Sequence, residues 1–98
     1  MLSAKISNAT RKAIYQREGY ACALCSSNQG LQIHHVIHRS QGGKNDMHNL
    51  VCLCWVCHAN AHGNMLELCG MSTAEVNQAI VEYMADTYAG DWQPWEEV

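Results

Sequence analysis

Apolar side chains recur along this chain with more than one period, and each period predicts an element. Ser7 stands as an N-cap before a helix-compatible stretch to Glu18, with Gly19 placed to stop it. Ala9, Ala13, Ile14 and Tyr15 give that helix only a thin apolar face. Leu31-Gln-Ile-His-His-Val36 alternates as a short strand does, and Asn49-Leu-Val-Cys-Leu53 is a second, more continuously apolar strand. Between them, Ile37 to His48 shows neither period and carries Gly42-Gly43 and Asn45-Asp46, which predicts a functional loop. Ala59, Ala61 and the pair His58/His62 suit a short helix ending at Gly63. The clearest element is last: Ser72 and Glu75 form a capping box. Val76, Ala79, Ile80, Tyr83, Met84 and Tyr88 then recur at helical spacing, predicting an amphipathic helix over about 73–89 that buries one face. The tail after it holds Trp92 and Trp95, which suit docking on the domain or on a partner.

Composition changes the picture in one respect. The 98 residues make one domain, 1–98 with its core at 20–63, and 48% apolar content with a single Pro describes a folding chain. There is no Phe, however, while six Cys and six His crowd the sequence. A core this small needs a staple, and metal is a usual one. No apolar run approaches the ~18 residues of a membrane span, which predicts no membrane partner. The first residues interleave Lys5, Arg11 and Lys12 with short side chains and lack the apolar stretch of a secretory signal. The expectation is a cytoplasmic protein whose thiols stay reduced and bind metal.

Charge is distributed unevenly. Lys5, Arg11, Lys12, Arg17, Arg39 and Lys44 all precede residue 45, against only Glu18 and Asp46 up to His62. The remaining seven acids follow Gly63, where no Lys or Arg occurs, so the net charge of −3 hides a basic front and an acidic end. A phosphate-bearing partner fits the first part through Arg39, Lys44, Arg11, Lys12 and Arg17. The acidic end is a candidate surface for a basic partner protein, or a solvated tail.

Cys22-x-x-Cys25 and Cys54-x-x-Cys57 are matched knuckles that together fill a tetrahedral zinc site, with no open position. Cys52 falls on a strand and reads as a small buried residue. A rival pairing joins Cys22 and Cys25 to His34 and His38 as a two-Cys two-His finger, at the cost of leaving the second knuckle without a purpose. His58 and His62, four apart, share one helical face and can reach one cation.

The ordered set His34-His35, Gly42-Gly43, Asn49-Leu50, Cys54-x-x-Cys57-His58 and His62 resembles the HNH endonuclease family, in the version with two zinc knuckles found in phages, prophages and restriction systems. The resemblance runs from Cys22 to about Gly63. It implies an α+β fold, a small zinc-stapled ββα-metal domain with flanking N- and C-terminal helices. It implies a metal-dependent hydrolase of DNA phosphodiester bonds, nicking or cutting both strands, in a bacterial cell or phage-infected host. By the same resemblance His35 is the general base, Asn49 holds the loop and orients that base, and His58 is the family's final His. His34, His58 and His62 would hold a catalytic divalent ion such as Mn²⁺, Ni²⁺, Mg²⁺ or Zn²⁺, and Cys22, Cys25, Cys54 and Cys57 the structural Zn²⁺. Where many members have Asp this chain has His34, which moves the site toward transition metals. Where many have Pro it has His38, a candidate phosphate contact or plain loop residue. Adjacent residues of a regular strand face opposite ways, so His34 and His35 serve one phosphate only if it lies across the strand end. The alternative class is an inactive zinc-stabilised module that binds DNA or protein.

Overall fold

A computed structural model describes residues 6–63, 71–88 and 92, with the backbone alone at Arg39. The order is α1 (Asn8–Arg17), β1 (Gln32–His35), a 3-10 turn (Arg39–Gln41), β2 (Leu50–Leu53), α2 (Trp55–Ala61) and α3 (Thr73–Thr87). Lys5, Cys69, Trp95 and four of the seven acids after Gly63 (Glu67, Asp91, Glu96 and Glu97) lie outside the described residues, while Glu75, Glu82 and Asp86 stand on α3.

The helix boundaries follow from side chains that satisfy orphan backbone groups. Ser7 Oγ accepts from the Thr10 N–H at 3.1 Å and opens α1. At its end Gly19 takes a positive φ of 68°, and Gly19 N and Tyr20 N donate back to Gln16 O and Tyr15 O. That pair of bonds is a Schellman closure, which reverses the chain after Glu18. On α3 the capping box forms as the spacing predicts: Ser72 Oγ accepts from Glu75 N at 3.1 Å and Glu75 Oε1 from Ser72 N at 2.9 Å. Cys54 caps α2, its sulfur accepting from Cys57 N, and Gly63 at φ 88° ends the turn that follows.

β1 and β2 pair antiparallel, with Gln32 opposite Leu53, His34 opposite Val51 and His35 opposite Leu50. All four residues of β2 are buried, because the two-stranded sheet lies between two helical layers. Leu50 and Cys52 face α1 and pack with Ile6 and Ile14. Val51 and Leu53 face the other way, against Ala61 of α2 and the stripe Val76, Ile80 and Met84 of α3. Alternation along one strand thus divides the apolar interior in two. His34, opposite Val51, belongs to the α2 side; His35, opposite Leu50, belongs to the α1 side.

Among the described residues no third strand flanks the sheet, and an ion pair covers the outer edge of β2. Arg17 Nη2 donates to Leu50 O at 2.6 Å, and Glu18 Oε2 accepts from Cys52 N at 3.0 Å. The pair itself is bidentate, at 2.6 and 3.0 Å. Tyr83 OH donates to Glu18 at 2.9 Å, while Arg17 Nη1 donates to Met47 O and to Tyr88 OH. Burial, then the bond to Glu18, push the Tyr83 phenol up to about 12, so it stays a donor. Side chains here replace a third strand and tie α1 to α3.

This corrects one expectation. Arg17 is not placed as a phosphate contact: its side chain is 12% exposed and its donors go to Glu18, Met47, Leu50 and Tyr88. The sequence shows a cation in a basic region, whereas the fold needs that cation at the edge of β2. Arg11, Lys12 and Lys44 are exposed. Trp92 docks on the domain, its indole N–H donating to His48 O at 2.6 Å.

Candidate functional site

Two clusters of metal-ligating side chains form at the two ends of α2. The first gathers Cys22, Cys25, Cys54 and Cys57, with all sulfurs within 4.8 Å of one another. Cys25 Sγ lies 3.6 Å from Cys54 Sγ and 3.8 Å from Cys57 Sγ. A tetrahedron with metal–sulfur bonds of ~2.3 Å has edges of ~3.8 Å, so the spacing suits one tetrathiolate-bound ion. The first knuckle is shaped by Cys22 N donating to Ser27 O and Ser26 N to Cys22 O, and is fastened to β2 by Ala23 N donating to Cys52 O. Burial would raise the Cys22 thiol, but the backbone N–H groups of Cys54, Cys25 and Leu24 bring it below its usual range. Burial pushes the Cys57 thiol up, and the neighbouring Cys22 pushes it further, the response of thiols grouped where a cation belongs. The finger pairing of Cys22 and Cys25 with His34 and His38 is not formed; the fold puts His34 in the second cluster and His38 edge-on beside it.

That second cluster joins His34 of β1 to His58 and His62 of α2, again with one nitrogen from each within 4.8 Å of the others. Ring centroids are 5.4 Å apart for His34–His58, 5.0 Å for His34–His62 and 4.6 Å for His58–His62. The facing Nε2 atoms of His58 and His62 are 3.2 Å apart, close to the ~3.3 Å edge of a tetrahedron with metal–nitrogen bonds of ~2.0 Å. His34 is fully buried, yet neither ring nitrogen has a hydrogen-bond partner among the described residues. A buried polar atom left so costs ~1–3 kcal/mol, and a cation shared with His58 and His62 removes that cost. Burial, and then the neighbouring His58, His62, His38 and His35, push His34 down to about 3. Burial, then His62, lowers His58, and burial, then His38, lowers His62. The rings are therefore held neutral, the state in which imidazole binds metal.

His35 stands across the strand from this cluster, its Nε2 2.7 Å from Asn45 Oδ1. Asn49 is fully buried and holds the loop: its Oδ1 accepts from Ile37 N at 2.7 Å, and its Nδ2 donates to Ile37 O at 3.0 Å and Lys44 O at 2.9 Å. A Cβ on Gly43 would overlap the Ile37 carbonyl and crowd Asn49 Nδ2 at 2.9 Å, so the loop closes this tightly only over glycine.

Three participants escape the sequence pattern. Asn45 meets His35 through loop closure that no periodicity reports. Asn60, fully buried on α2, donates to Met71 O at 2.6 Å and ties the helix carrying His58 and His62 to the start of α3. Glu18 closes the edge of β2, and the only trace of it beforehand is an acid beside Arg17 just before a helix stop.

A family model described as HNH endonuclease matches residues 22–64, the segment that contains both clusters. Among characterised proteins the chain is similar to Anaredoxin of Nostoc sp., with 34% identity over 59 residues, 59% of this chain and 78% of that one.

Proposed function

Because the chain belongs to the HNH family, we propose that it is a metal-dependent endonuclease hydrolysing DNA phosphodiester bonds. The observation that carries this reading is the buried, orphaned His34 facing His58 and His62, on the same strand as an imidazole directed to the other face. His34, His58 and His62 would hold the divalent ion. Such an ion supplies Lewis-acid stabilisation of phosphate charge and a template for the scissile group.

The protein's own residues do the rest. His34 and His35 leave β1 on opposite faces, and among the described residues β1 has no strand on its outer side. A phosphate straddling that edge meets the cluster on one side and His35 on the other. With Asn45 Oδ1 accepting from Nε2, the Nδ1 of His35 is left to take a proton from the attacking water. The water oxygen bonds to phosphorus, the P–O3′ bond breaks, and the departing oxygen is protonated from solvent, leaving 3′-hydroxyl and 5′-phosphate ends. Asn49 fixes the loop that carries Asn45, and so orients the base indirectly. Arg11, Lys12 and Lys44 are exposed and supply sequence-independent phosphate contacts, with Arg39 from the same loop as Lys44. Among the described residues no helix is long and apolar enough to cross a membrane. We place the protein in the cytoplasm of a bacterial cell or phage-infected host, where thiols stay reduced.

The test is supercoiled plasmid incubated with protein freed of labile metal, then given Mn²⁺, Ni²⁺, Mg²⁺ or Zn²⁺. Metal-dependent nicking that disappears in a folded His35→Ala protein is the expected result. DNA binding with no cutting under any metal identifies a binding module instead. A second reading concerns the tetrathiolate: four sulfurs in a tetrahedron suit iron as well as zinc, and the Nostoc relative bears a redox name. Visible ferric-thiolate absorption in protein as purified favours that reading; a colourless protein with one tightly held zinc favours a structural staple.

A further inference from the structure

His38 is one of two histidines, with His48, that the proposed reaction does not use. It stands edge-on to His34 with centroids 6.1 Å apart, and edge-on to His62 at 5.3 Å, one side of the imidazole cluster that His58 does not occupy. Its backbone is held firmly. Ile37, the preceding residue, is bracketed by both ends of the Asn49 carboxamide, and His38 O accepts from Gln41 N at 2.9 Å and Gly43 N at 3.0 Å. The ring itself is half-buried. Its nitrogens stand outside the 4.8 Å grouping of His34, His58 and His62, and rotation about its own side-chain bonds is what would bring one of them in. No carboxylate joins His34, His58 and His62 in their cluster among the described residues.

Resting on the reading that this cluster holds an ion, we propose that His38 is a fourth nitrogen ligand to it, making a four-imidazole site selective for borderline transition metals. Four neutral donors leave the ion its full positive charge. They favour Ni²⁺, Co²⁺, Cu²⁺ or Zn²⁺ over Mg²⁺, which prefers oxygen ligands and dehydrates reluctantly. An ion so held attracts an anionic phosphate, and His38, carried by the loop after β1 and not by β1 or α2, is the donor placed to yield a coordination position to it.

The experiment uses the full chain with the tetrathiolate site filled by zinc. Co²⁺ is added to the second site, and the strongly shifted, exchangeable imidazole N–H resonances are counted by proton NMR, one for each ligating histidine. Four resonances in the wild-type protein are expected, falling to three in His38→Ala. Ni²⁺ affinity should drop by about tenfold or more in His38→Ala, with Mg²⁺ affinity changing little. Three resonances in the wild-type protein overturn the proposal without requiring any variant to fold. Unchanged Ni²⁺ affinity in a folded His38→Ala protein also overturns it. The control is His34→Ala. Loss of the second ion there, with His38→Ala unaffected, disproves the fourth ligand and keeps the three-histidine site. If His34→Ala binds the second ion like wild type, the underlying metal reading falls as well.

Discussion

Asn49 and Ile37 face each other as a reciprocal pair, the carboxamide accepting from the Ile37 N–H at 2.7 Å and donating to the Ile37 carbonyl at 3.0 Å. The side chain thereby imitates a strand and carries the β1–β2 ladder one step beyond Val36, whose N–H donates to Asn49 O. Asn49→Ala would strip Ile37 N and Ile37 O of their shared partner and remove one donor from Lys44 O. The expected cost is roughly 2–4 kcal/mol in urea denaturation, given the penalty of unmade buried hydrogen bonds. Gly43→Ala should reproduce the loop defect with Asn49 intact, because its added methyl falls on the Ile37 carbonyl. Both variants should lose plasmid nicking while retaining the tetrathiolate ion. Nicking at the wild-type rate in either one would show that the loop is not what positions the base.

Arg17 supplies a second prediction, because its sequence neighbourhood and its structural use disagree. The Glu18 side chain is fully buried and shares its carboxylate among Arg17, Tyr83 and Cys52. Removing the guanidinium leaves that charge uncompensated, so Arg17→Ala should cost roughly 3–5 kcal/mol. Arg17→Lys should recover little of it, since an ammonium cannot span Glu18 and Leu50 O with one planar fork. DNA affinity measured against salt concentration should separate this residue from the exposed cations. Lys44→Ala or Lys12→Ala should lower the slope by about 1 with little change in stability. A reduced slope in folded Arg17→Lys would restore Arg17 as a phosphate contact.

Metal removal should proceed in two steps with different consequences. Cys57 and His58 are consecutive on α2, so one helix joins the two clusters. The imidazole cluster is the more open, since only His34 of its three members is buried, whereas three of the four cysteines are buried and Cys25 alone is exposed. A mild chelator should strip the histidine-held ion first, abolishing nicking while far-UV circular dichroism stays native. A stronger chelator, or Cys54→Ser with Cys57→Ser, should unfold the domain, because tetrathiolate binding energies of ~10–16 kcal/mol rival the stability of a whole domain. Unfolding at the first step, or a native fold after the second, would contradict this division of labour.

What could be read beforehand was local. Helix ends were legible because Ser7, Gly19, Ser72 with Glu75 and Gly63 act on backbone groups within a turn of themselves. The two ligand sets were legible because knuckle spacing and His58/His62 spacing carry their own geometry. The rest depends on chain segments meeting from far apart. Arg17 reaches Leu50 across thirty-three positions and Tyr88 across seventy-one. Asn45 reaches His35, and His38 approaches His62, only after the loop closes over Gly43. Side-chain type says that such groups are polar; only topology says what they face.

Acid sensitivity gives the last prediction. In an unfolded chain histidine titrates near ~6.5, whereas folding holds His34 down to about 3. Between those values the unfolded chain binds a proton that the folded chain refuses. The stability contribution is whole above pH ~6.5 and is lost as pH falls toward the folded value, at ~1.4 kcal/mol per pH unit for this one group. His58 and His62, also lowered, steepen the decline in the same direction. An ion in the cluster deepens it, because protons and metal compete for the same nitrogens. The measurement is urea denaturation between pH 7.5 and 5, with the tetrathiolate filled and the histidine site empty. Protonation of the thiolates is common to all variants, so the informative quantity is the difference between wild type and His34→Gln. That variant should show the shallower dependence. Parallel curves would mean that His34 accepts its proton in the folded protein, and that the cluster is not the dehydrated, cation-seeking site its geometry describes.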